Sequence, residues 1–376
     1  MKKNNKYLIV GMGPGETSQA RALAKYIARK GNVILFAVRK KTNIHFVEND
    51  KEFKVFLTEN IQDLVNLVEE EKPDVFLLFN SKMWGSKGFA ENPPFQKPKV
   101  CLSVDSNWLF NNKKYFPNFQ SNTWMDKYLI NLPKRIFEKG LKKNGGGFVI
   151  PPERIREMIP VGFIPSYKKP SREKIKSLRK KYRIKKDEKF IFSYFSGFET
   201  GHRIFAFNNL IRSVDILVKK GLKIKVLYIG PTSDIDPKML NRDWLIREER
   251  IPTNEFFETL SSSDLVFQHQ GMVTLAQAIS ASIPVICNVH LLTMYSHKVS
   301  KLHFWEVEPF DKIGVCKMFS KSSPIKEISQ EIKKLLYDNK VIEKMKKNQK
   351  IILEEGEPKA YQIINNLLDE KNKKNK

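Results

Sequence analysis

A glycine turn that joins an apolar segment to a helical pattern is the strongest chemical feature of the sequence. His269 precedes this turn, Gly271 forms it, Met272 and Thr274 open the helix, and Gln277 follows one helical turn later. A glycine lets a ligand approach the backbone, and the free N–H groups of a helix N-terminus attract anions. The pattern predicts a phosphate-binding turn in which His269 adds a donor and Gln277 reaches a hydroxyl group of the ligand. A histidine that merely ends a buried strand is the alternative.

A second glycine-rich loop, residues 11–16, follows the first apolar strand and opens a helix. It is not a dinucleotide fingerprint, because Glu16 stands where the last glycine is needed and Arg39, rather than an acid, ends the next strand. The chain contains no P-loop sequence. We expect Gly13 and Gly15 to line the site of a second substrate, and a plain tight turn is the alternative.

Two further loops follow predicted strands. Ser196 and Gly197 come after the first strand of the C-terminal half, where a Gly/Ser loop would contact a diphosphate. Asp105 and Asn107 follow a strand that is apolar except for Ser103. A carboxylate with little water around it is the stronger base, so we expect Asp105 to act as general base. Glu16 would then position the second substrate or cap its helix, and Asp105 as a simple turn former is the alternative.

Short apolar strands alternate with amphipathic helices through both halves of the chain. Continuous apolar strands are typical of a parallel sheet that helices cover on both faces, and 376 residues suit two such domains. We therefore predict two facing, doubly wound α/β domains of the Rossmann type, with a cleft between the carboxyl ends of their strands. The predicted ranges are an N-terminal domain at 1–165, a basic linker or helix at 166–187, a C-terminal domain at 188–370 and a disordered tail at 371–376.

Positive charge is concentrated in one part of the chain. The formal net charge is +26, and residues 110–186 carry 21 Lys and Arg against 5 Asp and Glu. Lysines such as Lys113, Lys114 and Lys127 alternate there with aromatic residues, which can lie at the level of lipid headgroups. These are Trp108, Phe110, Tyr115, Phe116, Phe119, Trp124 and Tyr128. The mixture favours an anionic membrane surface, a nucleic acid or a phosphorylated substrate as partner, and ordinary solvated lysines are the alternative.

Several protein classes are excluded or disfavoured by composition. No stretch approaches the ~18 apolar residues of a membrane span, and the first apolar run is too short for a signal peptide. Cys101, Cys287 and Cys316 lie far apart, which argues against a disulfide framework and favours a cytoplasmic protein. The histidines at residues 290–303 lack the spacing of metal ligands, so we expect neither a metal nor a cofactor.

The stretch at residues 263–288 resembles the donor-binding signature of GT-B glycosyltransferases that use nucleotide sugars. In that family a polar or basic residue and a glycine turn meet the diphosphate, a Thr or Ser opens the helix, and an acid binds the ribose. The resemblance assigns these positions to His269, Gly271, Thr274 and Gln277. It implies a metal-independent transferase in which helix dipoles and basic side chains neutralise the leaving diphosphate.

The chain departs from this signature at two positions. Gln277 replaces the family's acid and Ser282 replaces its helix-ending glycine. A neutral amide is a weaker partner for a ribose than a carboxylate is. Residues 293–297 also lack the acid–Gln pair that holds the donor sugar in the family. The resemblance therefore implies a nucleotide sugar but does not identify the sugar.

The N-terminal half resembles the peptidoglycan lipid-intermediate N-acetylglucosaminyltransferases. Asp105 and Asn107 match their acid-x-Asn motif, and residues 132–137 and 160–165 are similar in kind and order. Glu16 stands where that group has a histidine. The resemblance implies direct transfer of a hexose from a UDP-sugar to a lipid-linked or cell-envelope acceptor, by a protein attached to the inner face of the cell membrane.

Three other functions remain open from the sequence. The loss of acidic positions is compatible with a nucleotide-sugar-binding protein without catalytic activity. The positive charge is compatible with a protein that binds or glycosylates DNA. A sugar-nucleotide epimerase would use the same fold.

Overall fold

The computed structural model of the chain describes residues 4–39, 41–79, 92–105, 124–143, 156–165, 167–195, 200–269, 271–289, 307–320 and 323–374. The chain forms two compact units. Unit 1 comprises Met1–Ser166 and Glu354–Lys376, and unit 2 comprises Tyr167–Leu353. Each unit is built on one parallel sheet.

The sheet of unit 1 consists of seven strands. They are β1 (Lys6–Gly11), β2 (Val33–Val38), β3 (Phe53–Leu57), β4 (Val75–Phe79), β5 (Val100–Asp105), β6 (Lys127–Ile130) and β7 (Met158–Pro160). Their order is β3-β2-β1-β4-β5-β6-β7, and neighbouring strands are parallel. The connections contain α1 (Pro14–Ala28), a 3₁₀ helix (Lys41–Phe46), α2 (Ile61–Glu71) and α3 (Lys134–Lys143).

Apolar sequence and local caps explain the elements of unit 1. Strands β4 and β5 are buried along their whole length, as parallel strands between two layers of helices must be. Helix α1 packs Leu23 and Ile27 into the core that contains Ile9. Helix α2 begins at a capping box, because the Asn60 side chain accepts a hydrogen bond from Asp63 N–H and the Asp63 carboxylate accepts one from Asn60 N–H.

The sheet of unit 2 consists of six strands. They are β8 (Lys189–Tyr194), β9 (Ile224–Ile229), β10 (Leu245–Glu248), β11 (Leu265–Gln268), β12 (Val285–Val289) and β13 (Lys317–Ser320). Their order is β10-β9-β8-β11-β12-β13, again parallel throughout. The helices are α4 (Arg172–Lys181), α5 (Thr200–Val218), α6 (Pro237–Leu240), α7 (Thr253–Ser261), α8 (Met272–Ala281), α9 (Ile325–Tyr337) and α10 (Asn339–Ile352).

The two sheets share one strand order, which confirms the predicted doubly wound α/β architecture. In each sheet the first strand lies between the second and the fourth, so the direction in which strands are added reverses beside it. Ligands of open parallel sheets bind at this reversal, outside the carboxyl ends of the strands. In unit 1 the reversal lies between β1 and β4, and in unit 2 between β8 and β11.

The C-terminal helix belongs to unit 1, which corrects the predicted C-terminal domain at 188–370. This helix, α11, spans Gly356–Lys374. Its side chains Ala360, Ile364 and Leu368 join the hydrophobic core of unit 1. Amphipathic spacing shows which face of a helix is buried but not which sheet that face covers. The predicted range was wrong at its C-terminal end for this reason.

The predicted disordered tail at 371–376 was also wrong for most of its length. Helix α11 continues as far as Lys374. The ammonium group of Lys371 lies 2.7 Å from a carboxylate oxygen of Asp126. The ion pair with Asp126 stabilises the polar end of α11, which the local sequence alone predicts to be disordered.

The segment at 166–187, predicted as a basic linker or helix, contains helix α4, and from Tyr167 onward it is part of unit 2 and not a linker. Helix α4 buries Leu178, and Tyr182 follows it into the interior. The Arg179 guanidinium donates hydrogen bonds to the carbonyl oxygen of Ser262 and to the carboxylate of Asp264, both at 3.1 Å. Most side chains of this helix are charged, so its sequence did not indicate that Leu178, Arg179 and Tyr182 anchor it to unit 2.

Candidate functional site

The glycine turn between β11 and α8 has the geometry of an anion site. Gly271 is the N-cap residue of α8, with extended backbone, and no described side chain caps the helix. The N–H groups of residues 272–274 precede the first intrahelical bond, from Leu275 N to Gly271 O at 3.0 Å. Thr274 is buried, but Gly271 and Met272 are half-buried, so an anion can reach the N–H groups. The first turn contains no acidic residue that would compete for them.

Neither backbone conformation nor crowding by the described residues explains the glycine at this turn. Gly271 has a φ of −70°, which any residue adopts. A Cβ atom there would lie 3.4 Å from Cε1 of His269, an ordinary van der Waals contact. A glycine at this position leaves room for a ligand to approach the backbone closely.

His269 closes the carboxyl end of β11 beside β8. Its side chain is buried, and its Nδ1 lies 3.4 Å from the carbonyl oxygen of Tyr194. Its ring meets that of Phe195 edge to face, with centroids 6.5 Å apart. A carbonyl oxygen only accepts hydrogen bonds, so a hydrogen bond between these two atoms requires the proton on Nδ1. In that tautomer Nε2 can donate to a ligand only as part of an imidazolium, and the donor role of His269 stays a prediction.

Buried amide groups surround this turn at the carboxyl edge of the sheet. The Gln268 side-chain amide donates to the Cys287 sulfur at 3.3 Å, and the Asn209 side-chain amide donates to the side-chain oxygen Oδ1 of Asn288 at 3.3 Å. Oε1 of Gln268, Oε1 of Gln277 and Nδ2 of Asn288 have no hydrogen-bond partner among the described residues. A buried polar atom without a partner costs about 1–3 kcal/mol. Because of this cost, we expect further hydrogen-bond donors and acceptors to lie at the carboxyl edge of the unit 2 sheet.

Sequence reasoning missed Arg203, which lies in the first turn of α5. Its side chain is 10% exposed, and its guanidinium group pairs with the carboxylate of Asp234. Nε of Arg203 and Oδ1 of Asp234 have no hydrogen-bond partner in the part of the chain that the structure describes. A cation in the first turn lies at the unfavourable end of the helix dipole. That placement, visible in the sequence, is the signal that could have identified Arg203.

A groove of about 550 Å³ opens at the carboxyl ends of β9 and β10. The Tyr228 hydroxyl donates a hydrogen bond to the carbonyl oxygen of Pro231 at 3.0 Å, and burial raises the pKa of Tyr228 above its ordinary value. Gly230 has a φ of 148°, which favours glycine, and a Cβ there would come 2.9 Å from the Tyr228 hydroxyl. The lining residues include Gly230, Pro231, Thr232, Ser233, Arg247 and Glu249.

The glycine loop of unit 1 differs from the turn in unit 2. Gly13 is the N-cap residue of α1, and Glu16 lies in the first turn. The Glu16 carboxylate lies against Gly13, because a Cβ added to Gly13 would be 2.5 Å from Oε2 of Glu16. Glu16 therefore supplies the negative charge that a helix N-terminus favours. Gly15 is half-buried in the same turn, and its role beside a second substrate stays a prediction.

Asp105 ends β5 at the same edge of the unit 1 sheet. Gly11 is paired with Phe79 and Phe79 with Val104, so Asp105 stands at the level of the loop after β1. Its side chain is 1% exposed and accepts a hydrogen bond from the Ser103 hydroxyl. The expected shortage of water around Asp105 is present, while its role as a base stays a prediction.

Three predicted site residues, Asn107, Ser196 and Gly197, lie outside the described residues. So do Lys113, Lys114 and most of the aromatic residues that were predicted to meet lipid. Trp124 and Tyr128 are described, and both are buried. These two residues are core residues and not membrane anchors, because Tyr128 lies in strand β6 and Trp124 packs against Phe76 and Phe95.

Two absences apply to the described residues alone. No group of three His, Cys, Asp or Glu side chains is arranged there to hold a metal ion. No helix in those ranges combines the length and the apolar character that crossing a bilayer requires. Cys101, Cys287 and Cys316 are buried free thiols, and burial raises the pKa of Cys101 to about 12.

Comparison with known proteins identifies the fold. No protein-family model matches the chain, and no curated protein matches its sequence. The structure of the glycosyltransferase of kitacinnamycin matches with a TM-score of 0.66 and 11% identity, over 98% of this chain and 100% of that one. MurG of Acinetobacter baumannii matches with a TM-score of 0.61 and 11% identity, over 97% and 100% of the two chains.

A third similar structure is that of an epimerase. The putative UDP-N-acetylglucosamine 2-epimerase from Listeria monocytogenes matches with a TM-score of 0.60 and 12% identity, over 94% of this chain and 92% of that one. The chain therefore has the GT-B fold, as the sequence resemblance implied. At these identities the likeness concerns the fold.

Proposed function

We propose that the chain is a glycosyltransferase whose unit 2 binds a nucleotide-diphosphate sugar, with UDP as the nucleotide. One observation carries the proposal, which is the uncapped N-terminus of α8 at the reversal point of the unit 2 sheet. An anion bound there would meet about half a positive charge from the helix dipole. The similar fold of glycosyltransferases supports the same conclusion.

The diphosphate would be held by backbone and side-chain donors together. The N–H groups of the half-buried residues 272 and 273 precede the first intrahelical bond, and Gly271 leaves room for a phosphate oxygen. Arg203 brings a buried guanidinium group, paired with Asp234, to the same edge, and its Nε–H has no acceptor among the described residues. A buried Arg–phosphate hydrogen bond is stronger than a neutral one, so Arg203 would contribute much of the affinity.

The nucleoside would occupy the groove at the carboxyl ends of β9 and β10. The groove, at about 550 Å³, lies within the 300–1,000 Å³ that is typical of small-molecule sites. Oε1 of Gln277 is a buried acceptor without a described partner, which a ribose hydroxyl would satisfy. UDP is favoured because a protein of similar fold is named for UDP-N-acetylglucosamine.

Direct displacement is the transfer reaction that we propose. A general base takes the proton of the acceptor hydroxyl, the oxygen forms a bond to the anomeric carbon, and the nucleoside diphosphate leaves with the electrons of the broken bond. Asp105 is the proposed base, because it is a buried carboxylate at the ligand-binding edge of unit 1. Helix α8 and Arg203 would stabilise the leaving diphosphate without a metal.

The acceptor side of the proposal rests on unit 1. Gly13, Gly15 and Glu16 lie at the reversal point of its sheet, where a second substrate would bind. We propose a lipid-linked or cell-envelope acceptor, as the sequence resemblance implies. Transfer of a radiolabelled sugar to a membrane extract, compared with transfer to water-soluble alcohols, would test this choice.

Calorimetric titration with UDP, GDP, ADP and CDP tests the nucleotide site. We expect UDP to bind, Gly271→Ala to weaken binding, and Gly271→Val to abolish it, because larger side chains fill the space of the phosphate. The Ala variant should keep its melting temperature, since its Cβ makes only an ordinary contact with His269. Equal UDP affinity in all three folded proteins would refute the site.

Epimerisation is a second candidate, because an epimerase shares the fold. An epimerase changes its sugar nucleotide without any acceptor, whereas a transferase needs one. Incubation with UDP-N-acetylglucosamine alone, followed by NMR of the sugar, separates the two. A new epimer in the absence of acceptor would replace the transferase proposal.

A further inference from the structure

A second groove lies on unit 2, at the opposite end of helix α8 from the nucleotide turn. It has a volume of about 680 Å³. Ser282, the residue that ends α8, lines it, and α8 is 10 residues long. At 1.5 Å per residue the groove is about 15 Å from Gly271 along the helix axis. Its lining is therefore separate from that of the proposed nucleotide site.

The groove carries an excess of positive charge. Lys169, Lys346, Lys347 and Lys350 line it, and Glu343 is the one acid among its described lining residues. Partial burial and the neighbouring charges of Lys346 and Lys350 lower the pKa of Lys169. The charges of these lysines are thus crowded closely enough to disfavour one another.

Nearby helix ends neutralise only part of this charge. The C-termini of α8 and α10 both reach the groove through Ser282 and Ile351. Each helix C-terminus is equivalent to about half a negative charge. Glu343 pairs with Lys346 at 3.1 Å and removes one positive charge. About two positive charges remain for an anionic ligand.

Two exposed apolar side chains stand at the end of α10 beside the lysines. Ile351 is 55% exposed and lines the groove, and Leu353 is 43% exposed. The residue between them, Ile352, is buried and fixes the segment to the core. Basic side chains next to exposed aliphatic ones are the combination that binds anionic bilayers, where lysines meet phosphates and apolar groups enter the headgroup region.

We propose that this groove docks unit 2 on an anionic membrane surface, with lipid phosphates among the lysines and Ile351 in the headgroup layer. The occupant is a lipid phosphate and not a soluble one, because a soluble phosphate would gain nothing from the exposed Ile351 and Leu353. The docking surface differs from the aromatic segment predicted from the sequence. It also does not depend on the proposed nucleotide site.

Vesicle co-sedimentation of the full chain tests the proposal. Vesicles of phosphatidylcholine alone are compared with vesicles that also contain phosphatidylglycerol. The test variant combines Lys169→Gln, Lys347→Gln and Lys350→Gln. The matched control combines Lys186→Gln, Lys219→Gln and Lys220→Gln, which are exposed lysines of the same unit outside the groove. Both triple variants carry the same net charge.

We expect binding to the anionic vesicles alone. A lysine near such a surface contributes about fivefold in partition, so the groove variant should bind about a hundredfold more weakly and the control within about threefold of the native chain. Ile351→Ser should weaken binding severalfold at unchanged charge. Equal losses in the two triple variants, or no vesicle binding at all, would overturn the proposal.

Glycerol phosphate separates a membrane from a soluble ligand. Calorimetry with this compound should give no measurable binding to the native chain at concentrations that leave vesicle binding intact. Tight binding of glycerol phosphate that is lost in the groove variant, together with normal vesicle binding of Ile351→Ser, would make the groove a soluble phosphate site and refute the docking surface.

Discussion

The side-chain amide of Asn32 donates a hydrogen bond to the hydroxyl group of Tyr361 at 3.1 Å, although 329 residues separate the two. The Tyr361 ring also meets the Tyr26 ring edge to face, with centroids 5.9 Å apart. These contacts fasten the last helix of the chain to the first helix and the loop after it. Helix α11 is thereby held as part of unit 1.

Truncation of a core residue in α11 should destabilise unit 1. Ile364 is fully buried in the unit 1 core, so Ile364→Ala should lower the free energy of unfolding by about 3 kcal/mol. The exposed Gln362 on the same helix supplies the control, Gln362→Ala. Urea unfolding followed by circular dichroism measures both. A loss below about 1 kcal/mol for Ile364→Ala would contradict the assignment of α11 to that core.

Removal of the Arg203 charge should weaken nucleotide binding. We expect Arg203→Gln to reduce UDP affinity more than tenfold and uridine affinity little. The guanidinium group would donate hydrogen bonds to the diphosphate, which uridine lacks. Arg242→Gln is a matched control, since Arg242 also pairs with an aspartate of unit 2, Asp215, at 2.9 Å. Isothermal calorimetry gives both affinities. The same loss in the two variants would mean that Arg203 is only a structural ion pair.

Filling the groove beside β9 should block the nucleoside. Thr232 is a half-buried lining residue, and Thr232→Trp should abolish UDP binding by occupying its volume. Thr232→Ala leaves the groove open and should bind UDP within about threefold of the native affinity. Uridine should follow the same pattern as UDP. If the Trp variant binds UDP normally, the nucleoside lies elsewhere.

The two carboxylates of unit 1 should differ in their effect on turnover. Asp105→Asn should lower kcat by about 10²–10⁴-fold, because an amide cannot take the acceptor proton. Glu16→Gln should change KM for the acceptor more than kcat, since Glu16 lies against the N-cap glycine of α1. UDP affinity should be unchanged in both. Near-normal turnover of the Asp105 variant would show that the base is another group.

Acid should remove the stabilisation that Asp50 provides. Burial favours the neutral carboxyl, but hydrogen bonds from Arg21 and Lys25 outweigh it and lower the pKa of Asp50 from its ordinary value of 3.8. The folded state therefore binds the proton less readily than the unfolded state, and the stabilisation is present above the unfolded pKa and lost as the pH falls through the folded one.

The variant Asp50→Asn tests this expectation. It should lower the free energy of unfolding by roughly 2 kcal/mol at neutral pH, and the difference from the native chain should shrink below about pH 4. Urea unfolding across this range gives the two curves. A difference that stays constant down to about pH 3 would contradict the ion-pair origin of the stabilisation.

Local sequence was sufficient for the central elements of both sheets. Strands β1, β2, β4 and β5 are continuous apolar runs, and such runs are legible because both of their faces are buried. Strands β3, β6, β10 and β13 were not predicted: β3, β10 and β13 are partly exposed edge strands, and the interior strand β6 has only four residues. The turn at Gly271 was predicted because a phosphate site of this kind is built from neighbouring backbone groups.

Tertiary structure alone decided the features that join distant parts of the chain. The ion pair of Arg203 joins helix α5 to Asp234, which follows another strand. The lysine groove combines Lys169 with a helix that begins 170 residues later at Asn339. The sequence determined which helix faces are apolar and which turns expose N–H groups, because those properties are local. Which sheet α11 covers, and which charges share a groove, depend on long-range packing that no local pattern encodes.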